Sequence, residues 1–268
     1  MFTIWSGLFR HERYWWTRMS EKSSGRAVFF DCWDTIIQFA TQHENWNTIP
    51  LERHALNHDE IDWNGVNAFV KRFFDEYYST NEKYEINDFQ IYRLLIRLYG
   101  IQLDCSVEDC SSEILDNLSP SPMPRISEFL SLLDRDGIYY AVLSNTCYDE
   151  EISFRLVKKQ LPNSNFKLFA ASDVVGVKKP NPLFFEVGLK MSGKLPENSV
   201  YIGDNIFADV YGSDRAHFNN SVWLNTKGKD IDTVFADKNI DFRKLNFDEC
   251  RSYGEVIDLY KEGKLWKK

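Results

Sequence analysis

Cysteine is scarce and poorly arranged for cross-linking. The five residues, Cys32, Cys105, Cys110, Cys147 and Cys250, are odd in number and include no C-x-x-C pair. That argues against a disulfide framework or a zinc knot and suits reduced thiols in a cytoplasm. Long apolar runs are also missing: no stretch approaches the ~20 residues needed to cross a bilayer. The first residues, MFTIWSGLFRHERYWW, are interrupted by Arg10, His11, Glu12 and Arg13 and lack a small-residue cleavage site, so they read poorly as a secretory signal. Basic charge is in deficit, with 32 Lys and Arg against 40 Asp and Glu and a net charge of −8, so a nucleic-acid backbone is repelled. No repeat or low-complexity tract is visible.

What is present is the composition of a globular α/β chain, 43% apolar and 27% charged over 268 residues. Residues 1–26 read as an N-terminal extension rich in Trp and Arg, either a helix packed on its own domain or a segment that docks on a partner or membrane surface. AVFF, residues 27–30, is a short apolar run ending at Asp31, as expected of a buried parallel strand. The following segment carries helical periodicity in VNAFVKRFFDEYY and FQIYRLLIRLYGI, the second preceded by Asn87-Asp88 as an N-cap and closed near Gly100. DCSSEILDNL follows as a short helix, which the prolines at 120, 122 and 124 stop. Beyond them strands and helices alternate: IYYAVLSN, KLFAAS, SVYIGD and SVWLN are strands, separated by helical segments. This order implies right-handed crossovers and a Rossmann-like, doubly wound parallel sheet. Residues 27–37 and 121–268 are assigned to that core and 38–120 to an inserted α-helical cap domain.

Four strand ends carry polar residues. They are Asp31-Cys32-Trp33-Asp34-Thr35, Ser144-Asn145, Gly176-Val177-Lys178-Lys179-Pro180, and Gly203-Asp204 with Asp209 beyond it. Each alone is a common loop or cap. Together they converge, because ligands of open α/β sheets sit beyond the carboxyl ends of the strands.

Through FFDCWDTII, AVLSN, GVKKPNPLFF and VYIGDNIFAD the chain resembles the haloacid dehalogenase-like (HAD) hydrolase superfamily from about residue 27 onward, with the helical insert where that family carries a cap. The resemblance implies Asp31 as a nucleophile forming an aspartyl-phosphate, and Mg²⁺ held by Asp31, Asp204, Asp209 and the backbone carbonyl of Trp33. It also implies Ser144 bonded to a phosphoryl oxygen, Lys179 as charge-balancing cation, and Thr35 and Asn145 beside the substrate. Lys179 directly precedes the proline as in the family, and Lys178 is expected to be solvated.

The chain departs from the phosphatase pattern at Trp33, where a second Asp normally moves the leaving-group proton. Loss of a placed acid/base costs ~10²–10⁴-fold. Asp34 or a carboxylate of the cap is the candidate replacement, and a substrate with a good leaving group is another way out. A metal-free 2-haloacid dehalogenase, whose halide needs no proton, and a weakly active metal-binding scaffold are the alternative functions. The phosphatase reading leads because an acidic cluster needs a cation. A small phosphorylated metabolite is the expected partner, though no residue pattern spells it out or sets the oligomeric state. Tyr77, Tyr84 and Tyr92 are read as insert core, Cys32 and Cys147 as packing residues, and the spacing of His54 and His58 as coincidence.

Overall fold

The computed structural model describes residues 25–39, 45–80, 83–235 and 240–267; all but the last two residues of the N-terminal extension lie outside them. Strand β1 (Ala27–Phe30) is wholly buried and β2 (Ile37–Phe39) follows a tight loop. The insert holds α1 (Ile49–His54), α2 (Trp63–Thr80), α3 (Asp88–Tyr99) and α4 (Val107–Ser112), then β3 (Pro120–Pro122). Next come α5 (Ile126–Arg135), β4 (Tyr139–Ser144), α6 (Glu150–Gln160), β5 (Phe169–Ala171) and α7 (Ser172–Val175). The chain closes through α8 (Pro182–Ser192), β6 (Ser199–Gly203), α9 (Gly212–Arg215), β7 (Asn220–Leu224), α10 (Ile231–Phe235), β8 (Phe247–Cys250) and α11 (Tyr253–Lys261).

The main sheet has six parallel strands in the order β5-β4-β1-β6-β7-β8. Alternation along β1 sends Val28 and Phe30 to one face, where α5, α6 and α11 cover them, and Ala27 and Phe29 to the other, under α8 and α9. That is the doubly wound arrangement expected. The β8 strand was not apparent from FDEC because an edge strand with two acidic residues has no apolar run. KLFAAS yields only a three-residue strand, since Ser172 already opens α7. LVKKQL, which by its pattern makes a single helical turn, forms the last part of the 11-residue α6 and its C-cap Leu161, the helix being capped at its start by Asp149.

The antiparallel pair β2–β3 brings the two ends of the insert together, at Ile37↔Pro122 through Phe39↔Pro120. Between them the helices bury their own cluster, with Leu51, Val66, Val70, Tyr92 and Leu95 at its centre. Helix α3 starts in a capping box, with Asn87 and Gln90 each accepting from the other's backbone N–H, and ends on left-handed Gly100. Tyr92 is core, its hydroxyl donating to the Asn47 carbonyl at 2.9 Å; Tyr84 instead is exposed and bridges to Val177.

The insert meets the sheet through this bridge. Lys178 N–H donates to Lys83 O (3.1 Å), Glu85 N–H to Gly176 O (3.2 Å), Asp88 N–H to Cys147 O (2.8 Å) and the Ser172 hydroxyl to Glu85 Oε2 (2.8 Å). Lys178 is therefore not the solvated side chain expected: it is 5% exposed, with Nζ 4.6 Å from the centre of the Tyr77 ring.

Asp88 sits in this seam with its carboxyl pushed up to about 7 by burial, against a usual 3.8. Because the folded state binds the proton more tightly, this group removes stability as pH rises from 3.8 to about 7. Asp88→Asn is accordingly expected to stabilise the protein by on the order of 2 kcal/mol at pH 8 and by almost nothing at pH 4. Urea unfolding at both pH values checks this, and an equal effect at the two would refute it.

Candidate active site

Three loops at the carboxyl edge of the sheet meet around one ammonium group. Lys179 Nζ donates to Asp31 Oδ1 (2.6 Å), to Asp209 Oδ1 (2.7 Å) and to the Tyr201 hydroxyl (2.8 Å), with all four side chains buried. Tyr201 in turn donates to the Leu143 carbonyl at 2.7 Å. A buried lysine is tolerable only with such partners. Asp31, Asp204 and Asp209 each offer a carboxylate oxygen, the three lying within 4.8 Å of one another. Burial pushes the Asp31 carboxyl up to about 7, helped by Asp209 and Asp204 and opposed by Lys179. Asp204 is also raised, by burial and then by Asp209.

Local backbone explains how these groups are aimed. Asp31 N–H donates to Ile202 O at 2.9 Å, extending the β1–β6 ladder by one residue, so its side chain leaves exactly where the strand runs out. Asp209 lies on a π-helical turn, Ile206–Tyr211, and accepts from Asn205 N–H at 2.9 Å. Such turns are rare and often serve functional sites. The turn packs against Gly203, where any Cβ would overlap the Asp209 carboxyl group. Gly203→Ala is expected to cost about 1–3 kcal/mol of stability by overpacking and to weaken divalent-ion binding. Thermal melts with and without Mg²⁺ read both, and a variant melting like the parent under both conditions would contradict it.

Of the remaining expected site residues, Ser144 is buried at the end of β4, its Oγ only 3.5 Å from Asn145 O. Asn145 clamps the backbone of Lys179, donating to its carbonyl at 3.0 Å and accepting from its N–H at 2.8 Å. It thus positions the lysine. Thr35 is fully buried with an unpartnered Oγ1, and its carbonyl accepts from Tyr253 at 3.0 Å. Trp33 is half-buried and packs on the core. Asp34 takes left-handed φ 56° and accepts from Lys227 Nζ at 2.6 Å. Cys32 and Cys147 are buried as packing residues.

Three participants escaped the sequence reading. Tyr201 had a readable signal: a phenol inside a buried strand must find a polar partner. Lys227 and Lys229 had none, being ordinary charges in a loop. The turn after β7 presents them because Asn225 pins it, accepting from Lys229 N–H at 2.7 Å, and Lys229 then reaches Asp204 Oδ2 at 3.2 Å.

A parallel sheet whose carboxyl edge gathers three carboxylates, two of them on a buried lysine, defines an α/β protein with an acidic strand-end crevice. Residues 26–217 match the haloacid dehalogenase-like hydrolase family, and the chain belongs to it. Over 101 residues it is 34% identical to a phosphoserine phosphatase of Thermus thermophilus, covering 38% of this chain and 39% of that one. Over 59 residues it is 36% identical to a glyceraldehyde 3-phosphate phosphatase of Pyrococcus furiosus, covering 22% and 24%. The similarity thus spans well under half the length of these curated relatives. Among solved structures, a HAD phosphatase from Thermococcus onnurineus superposes with TM-score 0.55 at 18% identity, covering 88% of this chain and 97% of that one. A 2-haloacid dehalogenase from Pseudomonas syringae pv. Tomato DC3000 gives 0.58 at 16%, covering 89% and 99%. These two establish the fold. No helix among the described residues is long and apolar enough to cross a membrane.

Proposed function

We propose that the chain is a Mg²⁺-dependent phosphohydrolase of a small phosphorylated metabolite, working through an aspartyl-phosphate on Asp31. The observation that carries this reading is the triad Asp31, Asp204 and Asp209 within 4.8 Å at the strand ends. Oxygen donors alone, so closely spaced, suit a hard divalent cation. Asp31, Asp204, Asp209 and the Trp33 carbonyl would hold Mg²⁺, which supplies charge neutralisation for carboxylate and phosphate when bound.

In the first step an Asp31 oxygen forms a bond to phosphorus as the ester P–O bond breaks, and the leaving oxygen takes a proton. Asp34, beside the nucleophile loop, is the carboxyl assigned to that proton. Water then attacks the phosphorus as the Asp31 O–P bond breaks and gives up a proton to the Asp34 carboxylate, which frees phosphate and restores both Asp31 and Asp34. Lys179 neutralises charge from a fixed position, which is worth more than a mobile cation because no reorganisation is needed. Asn145 holds the lysine's backbone, and Ser144 donates to a phosphoryl oxygen. The helical insert, joined through β2 and β3, excludes water and selects the substrate.

Trp33 favours a second reading, haloacid dehalogenation, because an indole gives no proton and halide needs none. A panel of phosphoserine, glyceraldehyde 3-phosphate, acetyl phosphate, p-nitrophenyl phosphate and a 2-haloacid, run with and without Mg²⁺, separates the two. Phosphate release that requires Mg²⁺ supports the proposal, whereas halide release without metal and no phosphate release would replace it.

A further inference from the structure

A second group of metal-ligating side chains lies in the helical insert, on a hydrophobic cluster separate from the sheet. His54 ends α1, Asp104 and Cys105 occupy the loop before α4, and one ligand atom from each lies within 4.8 Å of the others. The two segments are tied by their backbones: Ala55 and Leu103 form an antiparallel bridge, and Asp104 N–H donates to His54 O at 3.0 Å. His54 Nδ1 faces Asp104 Oδ1 at 2.8 Å, while Nε2 pairs with Glu113 Oε1 at 3.0 Å. Glu113 is itself held by Arg53 at 2.6 Å. Cys105 packs against the buried cluster of the insert, of which Cys110 on α4 is a member.

We infer that His54, Asp104 and Cys105 form a zinc site that braces the insert, with water as the fourth ligand. An ion pair of His54 with its two carboxylates accounts for the nitrogen and oxygens but gives no role to the Cys105 sulfur that meets them. One nitrogen, one oxygen and one sulfur suit zinc, which takes its fourth ligand from water, and the nitrogen and sulfur are poor ligands for Mg²⁺. With bonds of about 2.0–2.3 Å, tetrahedral zinc needs the Nδ1 and Oδ1 atoms to separate by only about half an ångström. Glu113 takes the outer role, accepting the Nε2 proton so that Nδ1 is free for metal. Binding releases the second imidazole proton, if present, and the Cys105 thiol proton, and no electron is transferred.

The test uses the whole chain. Co²⁺, which absorbs in the visible and near-ultraviolet when bound by thiolate, is added to the reduced protein in excess Mg²⁺. The expected result is a thiolate-to-cobalt band saturating at one equivalent, displaced by zinc, lost in Cys105→Ser and retained in Asp31→Asn. Absence of the band in the parent protein overturns the inference, as does a band that survives Cys105→Ser or disappears with Asp31→Asn. A readout without variants is iodoacetamide labelling followed by peptide mass mapping. Zinc is expected to slow labelling of Cys105 at least tenfold, and an unchanged rate would overturn the inference equally.

Discussion

Replacing Asp31 with asparagine is expected to lower turnover of any accepted phosphate ester by at least ~10⁴-fold while leaving the fold intact. The amide has nearly the shape of the carboxylate but cannot attack phosphorus, and losing a nucleophile that acts with its neighbours removes most of the catalysis. Stability should not fall, because Asp31 is a buried carboxyl whose charge is disfavoured by desolvation and by two neighbouring aspartates. Lys179 keeps its 2.7 Å bond to Asp209 in the variant. Steady-state kinetics with a matched melting curve check both halves. Residual activity within tenfold of the parent would remove Asp31 from the role of nucleophile.

Lys179→Met tests the other half of the site and should damage both activity and stability. The ammonium separates Asp31 from Asp209, and no second cation contacts either carboxylate among the described residues. Deleting one partner of a buried ionic network typically costs about 3–5 kcal/mol, since the remaining charges stay uncompensated. The Asp31 carboxyl, already raised by burial and opposed by Lys179, responds by holding its proton to higher pH. The deficit is therefore smallest in acid and grows as pH rises through the range in which Asp31 would ionise. Urea unfolding should show the full loss at pH 8 and much less at pH 5, with kcat reduced by about 10³-fold. Equal stability of parent and variant at pH 8 would mean that the lysine is not the cation holding the site together.

These outcomes depend on residues that differ in how readable they were. Asp31 and Asp204 end apolar runs at AVFF and VYIG, so the strand periodicity that predicts the sheet also predicts where their side chains leave it. Lys179 was legible through its neighbours in GVKKPNP, but its choice over Lys178 rested on family resemblance. The tertiary contacts give the two lysines distinct surroundings, one among carboxylates and the other against Tyr77 of the insert. Asn145 was read as a substrate contact; in the folded chain its amide is committed to the backbone of a residue 34 positions away. No local pattern encodes such a bond.

The sequence by itself determined the α/β alternation, the order of the strands that carry functional residues, the helices that follow the first strand and the family. All of these follow from hydrophobic period and from residues adjacent in the chain. Only the tertiary structure decided which charges neighbour which. The Tyr201–Lys179 bond, the lysines brought to Asp34 and Asp204 by the turn after β7, and the meeting of His54 with Cys105 are contacts between distant segments. Their energies depend on burial and on distances of a few ångströms, and neither quantity exists until the chain has closed on itself.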